Sequence, residues 1–275
     1  MSIRSQPFIG GLLHMSQALP GQAYKFDGPT FPAQICYAFR FTSTYEAIEK
    51  LILPPPLKVD RSEPPEVICW YFSSSNSVGP GGTLIPYQGF QFRGHTEHKG
   101  VKALAGWEYV DGLAGNKAAM DVMGSWAVQF GMMKRLADFS FIPIDGDKFE
   151  VTIKRNGTTL IRLVLTQGSE IDQSIVAGMA DNPANPFSKP TLTVREIPNE
   201  DYSAYLDQSV LLSPTKQAVI VRRAWEVPEI SVEFGHLDDD PLSGLEPKDA
   251  GTGVIVNIEV TKGVFNEMKV LDKIH

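Results

Sequence analysis

The sequence predicts a mostly β chain with a few helices, β or α+β in class, folded as one domain over residues 1–275. Three observations carry this. Short runs rich in β-branched and aromatic residues recur along the chain, each ended by turn residues. One stretch, "FEVTIKRNGTTLIRLVLTQG", alternates apolar and polar residues on both sides of an Asn-Gly pair, the signature of a tight hairpin. Helical periodicity is confined to a few segments. Many strands at short spacing suggest an antiparallel barrel or a sandwich, and a closed barrel of modest size can hold one small ligand.

The strands follow in order. "AQICYAFRF" and "EVICWYFSSS" come first, then the hairpin, then "TLTVREI", "QAVIVRRAW", "EISVEFG" and "GVIVNIEVTKG". "STYEAIEKLI" reads as a helix with Ser43 or Thr44 as N-cap, stopped by "LPPPL". "NKAAMDVMGSWAVQFGMMKRLADF" is a second helical candidate, with a break expected near Gly131. "SSSNSVGPGG" reads as a flexible loop over the barrel mouth, because it lacks the Lys-Ser/Thr ending of a phosphate loop.

Composition narrows the function. The chain is 43% hydrophobic and 21% charged, ordinary for a globular domain. Its net charge of −7 argues against nucleic acid or an anionic membrane surface as partner. No stretch reaches the ~20 apolar residues of a membrane helix. "MSIRSQPFIGGLLHMSQALPG" does not read as a secretory signal, so a soluble cytoplasmic protein is expected. Cys36 and Cys69 sit in strand-like apolar runs and read as buried thiols in a reducing compartment. Asn156-Gly157-Thr158 fits a glycosylation sequon but is better explained as the hairpin turn.

Other constellations carry less. His95-Thr96-Glu97-His98 matches no common zinc spacing and reads as an exposed polar turn, with His95 or Glu97 a minor acid/base alternative. "HLDDDPLSG" lacks a calcium-loop pattern and reads as an acidic turn. No metal and no cofactor are expected.

The chemistry is concentrated in "FGMMKRLADF", where Lys134 and Arg135 sit side by side between apolar stretches. A free lysine is protonated at neutral pH and is no nucleophile. Burial and a neighbouring cation both expel its proton, and arginine cannot lose its own. Lowering a lysine pKa by about three units takes about 4 kcal/mol. The neutral amine can then form a Schiff base with a ketone, and the iminium becomes an electron sink. The bland alternative is a basic helix end. If the segment is a strand, the two side chains point to opposite faces and only one can enter a pocket.

The segment Phe130-Gly131-Met132-Met133-Lys134-Arg135-Leu136-Ala137 resembles the reactive aromatic-Gly-aromatic-Pro-Lys-Lys-Leu-Ala motif of the acetoacetate decarboxylase family. "ALPGQAYKFDG", "YEAIEKLILPPPLKVD", "REIPN", "RRAWEVPEISVEF" and "DDDPLSGLEPKDAGTGVIVNIEV" are similar to other family segments in the same order, spanning about residues 18 to 260. The resemblance implies an antiparallel β-barrel enclosing a hydrophobic pocket, usually in a homo-oligomer. It places Lys134 at the Schiff-base position and Arg135 at that of the second, pKa-lowering cation. This family is itself the known example of that activation.

Departures from the family pattern matter as much. The family's catalytic glutamate follows a Tyr-x pair, and here Tyr87-Gln88-Gly89 has no carboxylate. A second pocket glutamate falls near Trp70 or Tyr71. The family's substrate-binding arginine is replaced around Pro29-Thr30, and its Gly-Arg-Glu by Trp126-Ala127-Val128. The expected pocket therefore keeps an amine and a cation among the walls Trp70, Tyr71, Tyr87, Gln88, Trp126, Met132 and Met133. Three functions follow in order of preference. The first is a Schiff-base lyase decarboxylating a β-keto acid or polyketide-like molecule of secondary metabolism. The second is an aldolase, dehydratase or cyclase using the same imine. The third is a non-catalytic protein that binds an apolar small molecule.

Overall fold

A computed structural model describes residues 30–78, 84–111, 130–182, 185–213, 218–262 and 268–274. The strands are β1 (Phe31–Thr42), β2 (Lys58–Val59), β3 (Glu66–Val78), β4 (Leu84–His98), β5 (Val101–Asp111), β6 (Lys134–Asp145), β7 (Lys148–Arg155), β8 (Thr158–Thr166), β9 (Thr191–Pro198), β10 (Tyr205–Ser213), β11 (Ala218–Val227), β12 (Glu229–Phe234), β13 (Gly253–Lys262) and β14 (Lys269–Lys273). Helix α1 (Tyr45–Leu51) follows β1, and α2 (Gln173–Met179) follows β8. Among the described residues, no helix is long and apolar enough to cross a membrane.

Each expected strand run forms a strand. The Thr44 hydroxyl accepts from the Ala47 amide at 3.1 Å and caps α1, as its sequence implies. Asn156 (φ 49°) and Gly157 (φ 78°) both take the left-handed turn conformation that an Asn-Gly hairpin needs. Other readings change. "FRGHTEHKG" is no exposed loop: β4 runs through it to His98, with His95 and Thr96 buried, and the turn is only Lys99-Gly100. The second helical candidate gives way to strand at its C-terminal end, where β6 starts at Lys134, because parallel pairing with β5 overrides a helical pattern. Residues 116–129 of that candidate lie outside the described residues, as do residues 79–82 of the expected mouth loop and all of the N-terminal motif at 18–28, while the loop's first part, Ser73–Val78, is not loop but the end of β3.

The strands form one 14-stranded mixed sheet with the main order β11-β13-β1-β3-β4-β5-β6-β7-β8-β12. A closed barrel was expected, but among the described residues no ladder closes the sheet. The segment after β8 instead lies along the β11 edge. Gly168 donates its amide to the Glu226 carbonyl (2.7 Å) and Ile171 to that of Ala224 (2.9 Å), and a single bridge joins Glu170 to Trp225. Pro228, which has no amide hydrogen, separates β11 from β12, so that edge cannot extend its pairing there.

The central strands are buried on both faces, which is why β5 reads as apolar almost throughout. One apolar layer gathers Phe39, Phe41, Tyr71, Phe90, Phe92, Trp107 and Tyr109. The other gathers Cys36, Ile68, Trp70, Phe72, Tyr87, Leu104 and Val110, with Phe130 and Met132 packed on it. Residue parity along each strand decides which layer a side chain joins.

Candidate active site

The site is a row of residues across the sheet. Ala38 on β1 pairs with Trp70 on β3, Trp70 with Gln91 on β4, Gln91 with Glu108 on β5, and Glu108 with Lys134 on β6. Directly opposed residues share a face. This row therefore lies on the second apolar layer, beside Tyr87 and Phe72.

Gly131 sets up the entry into β6. Its φ of +63° is a left-handed conformation, and a Cβ there would meet the Val194 backbone carbonyl at 2.4 Å. The Thr193 hydroxyl bonds the Phe130 carbonyl, and the Glu108 amide donates to the Met133 carbonyl at 3.1 Å. These contacts fix the register that places Lys134 opposite Glu108.

The Lys134 side chain is only 4% exposed. Its Nζ is in contact with the Glu108 carboxylate and donates to the Tyr87 hydroxyl at 3.1 Å. Tyr87 in turn donates to Glu108, closing a three-membered cluster. Nζ also stands 5.5 Å from the centre of the Tyr87 ring, which packs on Phe72 at 4.8 Å. Burial holds the Lys134 pKa well below its ordinary value, and the Arg93 cation adds to this. Burial pushes the Tyr87 phenol far up, so it acts as a neutral donor.

Arg135 is not the cation beside Lys134. As strand neighbours, the two point to opposite faces. The Arg135 guanidinium lies 5.0 Å over the Trp107 ring, bonds the Asp239 carbonyl at 2.8 Å and pairs with Asp240. The Asp240 side chain is fully buried and also pairs with Arg155. The acidic turn "HLDDD" thus anchors Arg135 within the fold.

Of the expected pocket walls, Trp70, Tyr87 and Met132 share the face of Lys134. Tyr71 and Gln88 lie on the other: Tyr71 stacks near Phe139 and Phe141 and bonds Gln88 at 2.9 Å, while Gln88 bonds Asp111. Met133 is 38% exposed. Trp126 lies outside the described residues.

Three site residues escaped sequence reasoning: Glu108, Arg93 and Gln91. Glu108 brings a carboxylate to the lysine from β5, although the Tyr87-Gln88-Gly89 position has none. A lone acid in the apolar strand "ALAGWEYV" was the available signal, but its facing Lys134 depends on β5–β6 pairing. Arg93, only 6% exposed, lies on the same face as Gln91 and Tyr87.

A cavity of about 360 Å³ opens on the same face beyond Trp70, lined chiefly by Ile68, Trp70, Val219, Val221, Val256 and Ile258.

The sequence model of the family described as Acetoacetate decarboxylase (ADC) matches residues 15–273. The chain belongs to the acetoacetate decarboxylase family. A comparison with curated protein sequences finds no match. Solved structures agree on the fold. Acetoacetate decarboxylase from Legionella pneumophila superposes with a TM-score of 0.68 at 16% identity, covering 100% of this chain and 99% of that one. MppR, an enduracididine biosynthesis enzyme complexed with pyruvate, gives 0.65 at 14% identity, covering 94% and 98%. An acetoacetate decarboxylase-like enzyme from Sphingomonas wittichii gives 0.62 at 17% identity, covering 89% and 94%. The mostly β architecture is thus that of acetoacetate decarboxylase-like enzymes.

Proposed function

We propose that this protein is a Schiff-base lyase that decarboxylates a β-keto acid or a larger, polyketide-like keto acid. The observation that carries the reading is the Lys134 amine, buried, held low in pKa and in contact with Glu108 and Tyr87. The neutral amine attacks the substrate ketone, and the oxygen leaves as water. The C–C bond to the carboxylate then breaks, its electrons pass to the iminium, and carbon dioxide departs. Glu108 returns a proton to the enamine carbon, and water releases the product from Lys134. Tyr87 donates to the oxygen that becomes water. The apolar cavity beyond Trp70 supports a substrate with an apolar portion.

The same imine can serve aldol addition, dehydration or cyclisation. Glu108 favours this second reading, because a proton-transferring carboxylate beside the lysine serves C–C bond formation as well as enamine protonation. MppR, with pyruvate bound, has the same fold. The protein is taken to work in the cytoplasm, without a cofactor, as a homo-oligomer. The exposed apolar end of β6 (Phe141, Ile142, Ile144) supports self-association.

Carbon dioxide release from a panel of β-keto acids tests the leading reaction. Release that disappears in Lys134→Ala supports it. A panel that forms imines but releases no gas favours the second reading.

A further inference from the structure

Arg93 is a buried cation without a carboxylate. Among the described residues no acid lies within ion-pair distance of it, although its side chain sits inside the sheet and keeps its charge at any physiological pH, its pKa lowered by burial only to about 10. Its partner is the Gln91 amide oxygen, which accepts from Nη2 at 2.8 Å and Nε at 3.1 Å in the amide orientation that satisfies both groups. That bond occupies one edge of the guanidinium and leaves Nη1, at the far end, for a ligand. An isolated buried charge is costly, and proteins keep one where a ligand completes it.

Its position points to the ligand. Gln91 pairs with Glu108, and Glu108 with Lys134. Arg93 is two residues along β4 from Gln91 on the same face. Its α-carbon is therefore about 12 Å from that of Lys134, given strands ~4.8 Å apart and a rise of ~3.4 Å per residue. Long lysine and arginine side chains on one face can both reach a molecule held between them.

We propose that Arg93, positioned by Gln91, binds the carboxylate of the substrate, so that this site selects keto acids over neutral ketones. This rests on the Schiff-base reading for the ketone end of the molecule and stands independently for the carboxylate end. The arrangement also couples the two ends. In the free protein the uncompensated charge of Arg93 repels a proton from Lys134. A bound carboxylate neutralises that charge, so the cationic iminium that follows is tolerated.

The test uses the full-length protein and 3-hydroxybutyrate, a carboxylate with no ketone to react. Calorimetry on the wild type should show binding of the acid and at least tenfold weaker binding of its amide. Equal affinity for acid and amide overturns the proposal whether or not any variant folds. Arg93→Met should lose at least tenfold in affinity for the acid, with a thermal midpoint at or above the wild-type value. Arg93→Lys should keep part of the affinity. Unchanged affinity in a folded Arg93→Met also overturns the proposal. Borohydride trapping of acetoacetate and acetone adds the kinetic readout. Wild type should favour the acid, Arg93→Met should lose that preference, and the pH midpoint for trapping acetone should rise in the variant. If wild type traps neither ketone while acid binding still depends on Arg93, the Schiff-base reading fails and the carboxylate site stands.

Discussion

Lys134 and Arg135 are consecutive, yet they serve opposite faces of the sheet. Lys134 meets Glu108 and Tyr87, and Arg135 meets Asp240 and the Trp107 ring. A pair that looks like one chemical unit in the sequence is divided by strand geometry between a site and a structural anchor.

That division predicts different fates for the two substitutions. Arg135→Ala should keep imine formation and cost roughly 1–3 kcal/mol of stability, because it removes one ion-pair partner from a buried Asp240 that retains Arg155. Chemical denaturation alongside borohydride trapping checks both. Loss of trapping in a folded Arg135→Ala would return that residue to the chemistry.

Glu108→Gln separates proton transfer from imine formation. The amide keeps the shape of the side chain and loses its capacity to accept a proton. Turnover should fall by about 10²–10⁴-fold, while a substrate ketone can still be trapped on the lysine. Turnover at the wild-type rate would remove Glu108 from the mechanism.

The pH dependence follows from the depressed Lys134 pKa. Imine formation should persist well below pH 10.5, the ordinary lysine value, and fade as pH falls through the lowered pKa. Between that pKa and 10.5 the unfolded chain binds the extra proton, so this group makes stability rise with pH across the window. A trapping profile with its midpoint near the ordinary lysine value would contradict the burial argument.

Gly131→Ala tests the entry into β6. Its Cβ would collide with the Val194 carbonyl from a positive-φ position. The conformational strain alone costs about 1–3 kcal/mol, and relief of the clash should shift Lys134. A lowered thermal midpoint together with slower trapping is the expected pair of changes. A variant unchanged in both would show that the turn does not set the lysine.

How far the sequence led can be judged from particular residues. Local signals held where the physics is local: the Thr44 cap, the Asn156-Gly157 turn and the alternating hairpin strands. The family resemblance picked out the lysine motif as the candidate site, and the family model does match residues 15–273. The surroundings of Lys134 depend on pairing between strands distant in sequence, which no local pattern encodes. Glu108 faces Lys134 only because β5 and β6 run parallel, and Gln88 leaves the site only because it has the wrong parity on β4. "FRGHTEHKG" looked like a polar loop because Arg93 and His95 are polar, but β4 buries both. The polarity marked buried strand rather than a turn.

Borohydride reduction in the presence of a keto acid, followed by intact-mass measurement and peptide mapping, decides whether Lys134 forms an imine. One reduced adduct is expected, on Lys134 and absent from Lys134→Ala. An adduct on another lysine, or none with any keto acid in the panel, would contradict it.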